Sequence, residues 1–118
     1  MKLLPSTALQ DLFGGKAAEA VLLCLFHDGE SHGRAISRDF AVSLDAVQRQ
    51  LDRFEKSGTL VCKQQGRTHV YSWNPKSRLA ARLRDLTGVI YDGLSPEAKQ
   101  VLFPERRQPR AKDKPVIR

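Results

Sequence analysis

The chain is read as mainly α with a small β-hairpin, and three observations carry that expectation. Apolar residues recur at three- and four-residue steps through residues 6–56 and 77–102, punctuated by Ser, Gly and Pro. Between these stretches, residues 59–73 switch to extended-favouring types on either side of Gln65-Gly66-Arg67. The length of 118 residues, with 41% hydrophobic and 28% charged residues, suits one domain with a single core.

A first short helix is expected over residues 6–13, with Ser6 as its cap and Gly14-Gly15 as its stop. The second, residues 16–27, ends at Asp28-Gly29. It carries Val21, Leu22, Leu25 and Phe26 at helical spacing, and the apolar run from Ala20 to Phe26 implies burial on most sides. A third helix is placed over residues 32–39, capped by Ser31, with Ala35, Ile36 and Phe40 inward. The fourth has the clearest signature: Ser43 as N-cap, then Leu44, Val47, Leu51 and Phe54 as a stripe, then Ser57-Gly58 as terminator. Strands are expected over residues 59–64 and 68–73, with His69, Tyr71 and Trp73 on one face, and Asn74-Pro75 closes the hairpin. A longer helix over residues 77–91 bears Leu79, Leu83, Leu86 and Ile90. Ser95-Pro96-Glu97 opens a last short one, since Ser caps and Pro is tolerated at the first helical position.

The formal charge is +7, unevenly placed. Residues 1–42 carry net −1, residues 43–75 and 76–103 each +2, and residues 104–118 +4. Such a distribution favours a polyanionic partner. No apolar run approaches the roughly 20 residues that span a bilayer. The start of the chain lacks a secretory leader's apolar region, and Cys24 and Cys62 are too few for a disulfide framework. A cytoplasmic protein with no membrane partner is expected.

A helix held to the core by one stripe is free to enter the DNA major groove with its other side. Opposite Val47 and Leu51 lie Asp45, Arg49, Asp52, Arg53 and Lys56, with Gln48 at the flank. Arg49 and Gln48 have the donor geometry to read guanine or adenine edges, and Arg53 and Lys56 suit phosphate contacts. Lys63, Arg67 and His69 sit near the hairpin tip, where they would reach backbone or minor groove beside that helix. The predicted DNA-contacting set is therefore Ser43, Gln48, Arg49, Arg53, Lys56, Lys63, Arg67 and His69. Asp45 and Asp52 oppose phosphate binding and keep a solvated helix face, or a protein-interaction or scaffolding module, as the alternative. Cys24, His27, Cys62 and His69 lack metal-site spacing, so neither metal nor other cofactor is expected, and Cys24 reads as a small buried hydrophobe. Tyr71 and Trp73 are assigned to the core. No phosphate loop, carboxylate pair or nucleophile–base pair is evident, so the chain is not read as an enzyme.

The segments LFGGK at 12–16, SLDAVQRQL at 43–51, FEKSGTL at 54–60 and GRTHVYSWNP at 66–75 resemble winged helix-turn-helix transcription regulators of the ArsR-like type, over about residues 10–92. The resemblance implies a recognition helix over residues 43–56, a wing over 59–73 and a homodimer that binds double-stranded DNA. It casts Leu79, Leu83, Leu86 and Ile90 as interface residues, although the same stripe would also serve to pack on its own domain. Two departures stand out. Ala41 occupies a turn position where the family usually has Gly. Residues 32–40 contain none of the paired cysteines of metal-sensing members, and no small-molecule effector is legible. The expected organisation is a DNA-binding domain over residues 1–92 including the additional C-terminal helix, a short helix within 93–103, and a basic, disordered tail over 104–118. The tail would be either a DNA-grasping arm or a solubilising end.

Overall fold

The computed structural model describes residues 7–103; the expectations for Ser6 and for the basic tail fall outside them. The element order is α1 (Ala8–Phe13), α2 (Lys16–Asp28), β1 (Glu30–Ser31), α3 (Gly33–Phe40), α4 (Leu44–Lys56), β2 (Leu60–Gln65), β3 (Thr68–Trp73), α5 (Arg78–Asp92) and α6 (Pro96–Leu102). Mainly helical, with a hairpin and a following helix, it matches the fold class read from sequence.

At the centre lies α2. Nine consecutive residues, Ala17 to Leu25, are buried, so the apolar run is surrounded rather than one-sided. Onto it pack Ile36 and Phe40 of α3, and Val47, Leu51 and Phe54 of α4. Leu60, Tyr71 and Trp73 of the sheet, Ala80 of α5 and Leu102 of α6 complete the core. The indole Nε1 of Trp73 donates to Leu25 O at 3.2 Å, which gives a buried N–H its partner and ties the hairpin base to the end of α2.

The one charged side chain in the α2 run, Glu19, is 2% exposed. Its carboxylate accepts from Thr7 N (2.9 Å), from the Thr7 hydroxyl and from Gln10 Nε2 (2.9 Å). Thr7 Oγ1 in turn accepts from Leu9 N. Thr7 caps α1 and so serves the helix and the buried carboxylate together.

The sheet has the order β1-β3-β2 and is antiparallel throughout. Leu60 faces Trp73 and Gln65 faces Thr68 in register, leaving a two-residue loop in which Gly66 takes a φ of 63°. The two-residue strand β1 was not foreseen. It pairs Ser31 with Tyr71, which removes Ser31 from the capping role expected of it. His32 caps α3 instead, its Nδ1 accepting from Ala35 N at 3.3 Å.

Helix α4 begins and ends where its residues dictate. Ser43 Oγ accepts from Ala46 N at 3.1 Å. At the far end Gly58 N donates to Glu55 O and Thr59 N to Phe54 O, the paired bonds of a glycine-terminated helix. Between α3 and α4, Ala41 adopts a left-handed conformation (φ 56°, ψ 42°), held by Ser37, whose carbonyl accepts from Val42 N and whose Oγ donates to Val42 O. The turn keeps the shape that a glycine would give it, at a cost of about 1 kcal/mol for the Cβ. Ala41→Gly is accordingly expected to stabilise the protein by up to about 1 kcal/mol and raise the thermal midpoint by a few degrees. Calorimetry of the two chains checks this, and an unchanged or lowered midpoint would contradict it.

Candidate nucleic-acid interface

Three elements meet at one corner: the N-terminus of α3, the first half of α4 and the hairpin tip. They enclose a shallow groove of about 200 Å³ bordered by His32, Arg34, Leu44, Gln48, Arg67 and His69. Gly33 makes the approach of α3 to α4 possible, since a Cβ there would lie 3.1 Å from Gln48 Oε1 and 3.3 Å from Leu44 Cδ1.

Of the eight residues read as DNA contacts, the structure gathers Gln48, Arg67 and His69 around this groove. Ser43, at the exposed start of α4, spends its hydroxyl on the cap. Arg49 lies further along the helix, in a 2.6 Å ion pair with Asp45 that is exposed on both sides. Lys56 is exposed in the last turn of α4, and Lys63 is exposed on β2 opposite Val70. Arg53 lies elsewhere. Its Nη1 donates to Gln50 Oε1 at 2.9 Å, and it borders a second, apolar groove of about 420 Å³ between Phe13, Phe54 and the α5 leucines 79, 83 and 86.

Arg34 and His32 were missed. Arg34 falls in the first turn of α3, where only the placement of that helix against the hairpin shows its relevance. His32 is not among the favoured capping residues. The two carboxylates that argued against phosphate contact are both engaged, Asp45 with Arg49 and Asp52 with the Gln48 amide at 3.0 Å. Such exposed contacts add little stability; Arg49 offsets the charge of Asp45, while the amide leaves Asp52 its negative charge.

Tyr71 and Trp73 pack inward as expected, whereas His69, on the same strand face, is exposed because the hairpin tip projects beyond the core. Tyr71 Oη accepts from Gln48 Nε2 at 3.0 Å. Burial pushes the Tyr71 phenol above its usual value of 10, with the Gln48 bond pulling the other way. Cys62 Sγ stands 3.5 Å from His69 Nδ1, and among the described residues no three His, Cys, Asp or Glu side chains converge on a metal-sized site.

Helix, turn, helix and hairpin in this arrangement, with Leu44 and Gln48 beside the hairpin tip, define the architecture. The chain folds as a winged helix-turn-helix. Solved structures share that winged helix. One described as a predicted DNA-binding transcriptional regulator from E. coli aligns at TM-score 0.53 and 19% identity, over 70% of this chain and 85% of that one. The AntR antimony-specific transcriptional repressor aligns at 0.54 and 18%, over 79% and 78%. A mutant of Lactococcus lactis ZitR in complex with DNA aligns at 0.55 and 15%, over 78% and 62%. At these identities the likeness establishes the fold. No protein-family model and no curated protein matches the chain.

The two thiols of the winged helix differ sharply. Cys24 is 1% exposed, and burial, with the charge of Asp28 adding to it, pushes its thiol up to about 12. An aromatic disulfide reagent at neutral pH should modify Cys62 alone, with Cys24 reacting only after denaturation. Because folded Cys24 keeps a proton that the unfolded chain releases near pH 9, and burial raises the Tyr71 and Tyr91 phenols as well, stability should fall as pH climbs from about 9 towards 12. Urea midpoints at pH 8 and pH 10.5 check the sign; an equal or higher midpoint at pH 10.5 would contradict it.

Proposed function

We propose that this winged helix binds double-stranded DNA as a transcription regulator of the ArsR-like type, without catalysing a reaction. The observation that carries the reading is the corner groove. There the N-terminal half of α4 and the wing tip present Gln48, Arg67 and His69 on one side, with Arg34 alongside. A groove edged by arginines beside an exposed helix start is suited to phosphate contacts that fix register while α4 meets base edges. Ser43 and Arg49 extend the surface along α4. Lys56 and Lys63 add charge at its margins, and Arg53, turned towards α5, contributes least. The pairing of Asp45 with Arg49 reduces the feature that favoured a protein-interaction module.

The regulator works as a homodimer. Leu12, Leu79 and Val89 are 60%, 60% and 70% exposed and Leu86 is 38% exposed, while Leu83 and Ile90 are half-buried against the core. A second copy meeting the same α1–α5 face across a two-fold axis would cover these side chains and the apolar groove beside Arg53. Leu79→Glu should then shift sedimentation equilibrium from dimer to monomer; a variant as dimeric as the parent would remove α5 from the interface.

Fluorescence anisotropy with random duplex DNA across a salt series tests the binding itself. Affinity should drop by about two orders of magnitude between about 50 and 200 mM salt, as expected for about four phosphate contacts. Arg67→Glu and Arg49→Glu should each weaken binding about tenfold or more, with Arg67→Glu also flattening the salt slope. No binding at low salt would reject the DNA reading in favour of a protein partner.

A further inference from the structure

The Gln48 side chain is committed before any ligand arrives. Its Nε2 donates to Asp52 Oδ1 at 3.0 Å and to Tyr71 Oη at 3.0 Å. A carboxylate only accepts hydrogen bonds, so Asp52 dictates which end of the amide is nitrogen. A primary amide has two N–H groups, and here both are spent. Oε1 remains, close over Gly33 at the N-terminus of α3, and Gln48 lines the groove shared with Arg34, Arg67 and His69. The clamp is firmly founded. Tyr71 is buried in the central strand of the sheet, and Asp52 lies one turn along the same helix as Gln48.

We infer that Gln48 reads a base edge as a hydrogen-bond acceptor only, and that Tyr71 and Asp52 are positioning residues that set the sequence preference of α4. The inference rests on the DNA-binding reading above. In the major groove, adenine N6 and cytosine N4 carry amino donors, whereas guanine and thymine present O6 and O4 acceptors. An unconstrained glutamine prefers adenine because it accepts from N6 and donates to N7 together. With its N–H groups held by Asp52 and Tyr71, Gln48 loses the N7 bond. Adenine and cytosine then become equivalent, one bond each, while guanine and thymine would set oxygen against oxygen. The clamped residue therefore specifies an amino-bearing base rather than adenine.

Selection from a randomised duplex pool by the full chain and three variants tests this. For the parent, one position per half-site should retain adenine and cytosine about equally and exclude guanine and thymine. Gln48→Ala should flatten that position alone. Tyr71→Phe and Asp52→Ala each free one N–H. Only the hydrogen on the same side as Oε1 reaches N7 while Oε1 accepts from N6. The variant that frees it should narrow the same position to adenine by about tenfold over cytosine, and the other should keep the parental preference. A purely structural role would weaken the whole motif and would not exchange one base preference for another. Asp52 is exposed, so its variant should fold, and the parent and Gln48→Ala selections keep the test decisive if Tyr71→Phe unfolds. The inference is overturned if the position flattened by Gln48→Ala is already adenine alone in the parent. It is equally overturned if Tyr71→Phe and Asp52→Ala both fold and both select the parental motif, or if the parent binds duplex and enriches no motif. Failure of the parent to bind duplex at all is a separate result, which removes the DNA-binding reading and this inference with it.

Discussion

The structure depends on the burial of one helix from every side. With Ala17 to Leu25 of α2 withdrawn from water, each other element has a face to cover and a fixed place from which to cover it. A fully buried Leu or Val side chain contributes about 1.5–3 kcal/mol, so Val21, Leu22, Leu23 and Leu25 together outweigh any surface ion pair in the molecule. The run also tolerates a carboxylate at Glu19, because α1 arrives with Thr7 and Gln10 to satisfy it. The short helix α1, too brief to persist alone, is held by that contact and by the burial of Leu9.

From this centre the route to the interface is short. Trp73 anchors the base of the hairpin to Leu25 O, and Val47 and Leu51 seat α4. The hairpin tip and the outer side of α4 are then left projecting, with their relative position set by the Gln48–Tyr71 bond. The polar surface rests on rigid elements, so little ordering is required when a partner binds. Helix α6 closes the opposite end, where Phe103 stacks on His27 at 4.0 Å and meets Phe40 edge-on.

Much of this was legible in the residues. The α4 stripe, its Ser43 cap and its Ser57-Gly58 stop specified one helix and one buried face, and the structure reproduces all three. The hairpin was equally plain, since Gly66 between two extended-favouring runs leaves few alternatives. What escaped was either very short or cooperative. The strand β1 is two residues long and exists only because β3 offers an unpaired edge, and its formation passes the cap of α3 from Ser31 to His32. Arg34 joined the candidate site only once α3 was set against the wing. Gln48 was read as a free donor because nothing in the spacing reveals that Tyr71, 23 positions away, and Asp52 take its amide protons.

On the proposed function, the α3–α4–wing corner is the surface that meets DNA. Backbone amide shift mapping by NMR during titration with a short duplex tests it most directly. The largest changes should fall on residues 32–34, 43–49 and 66–69, with the α1–α5 face unmoved beyond any effect of dimerisation. Changes concentrated on α5 and around Phe13, with the wing tip silent, would contradict it.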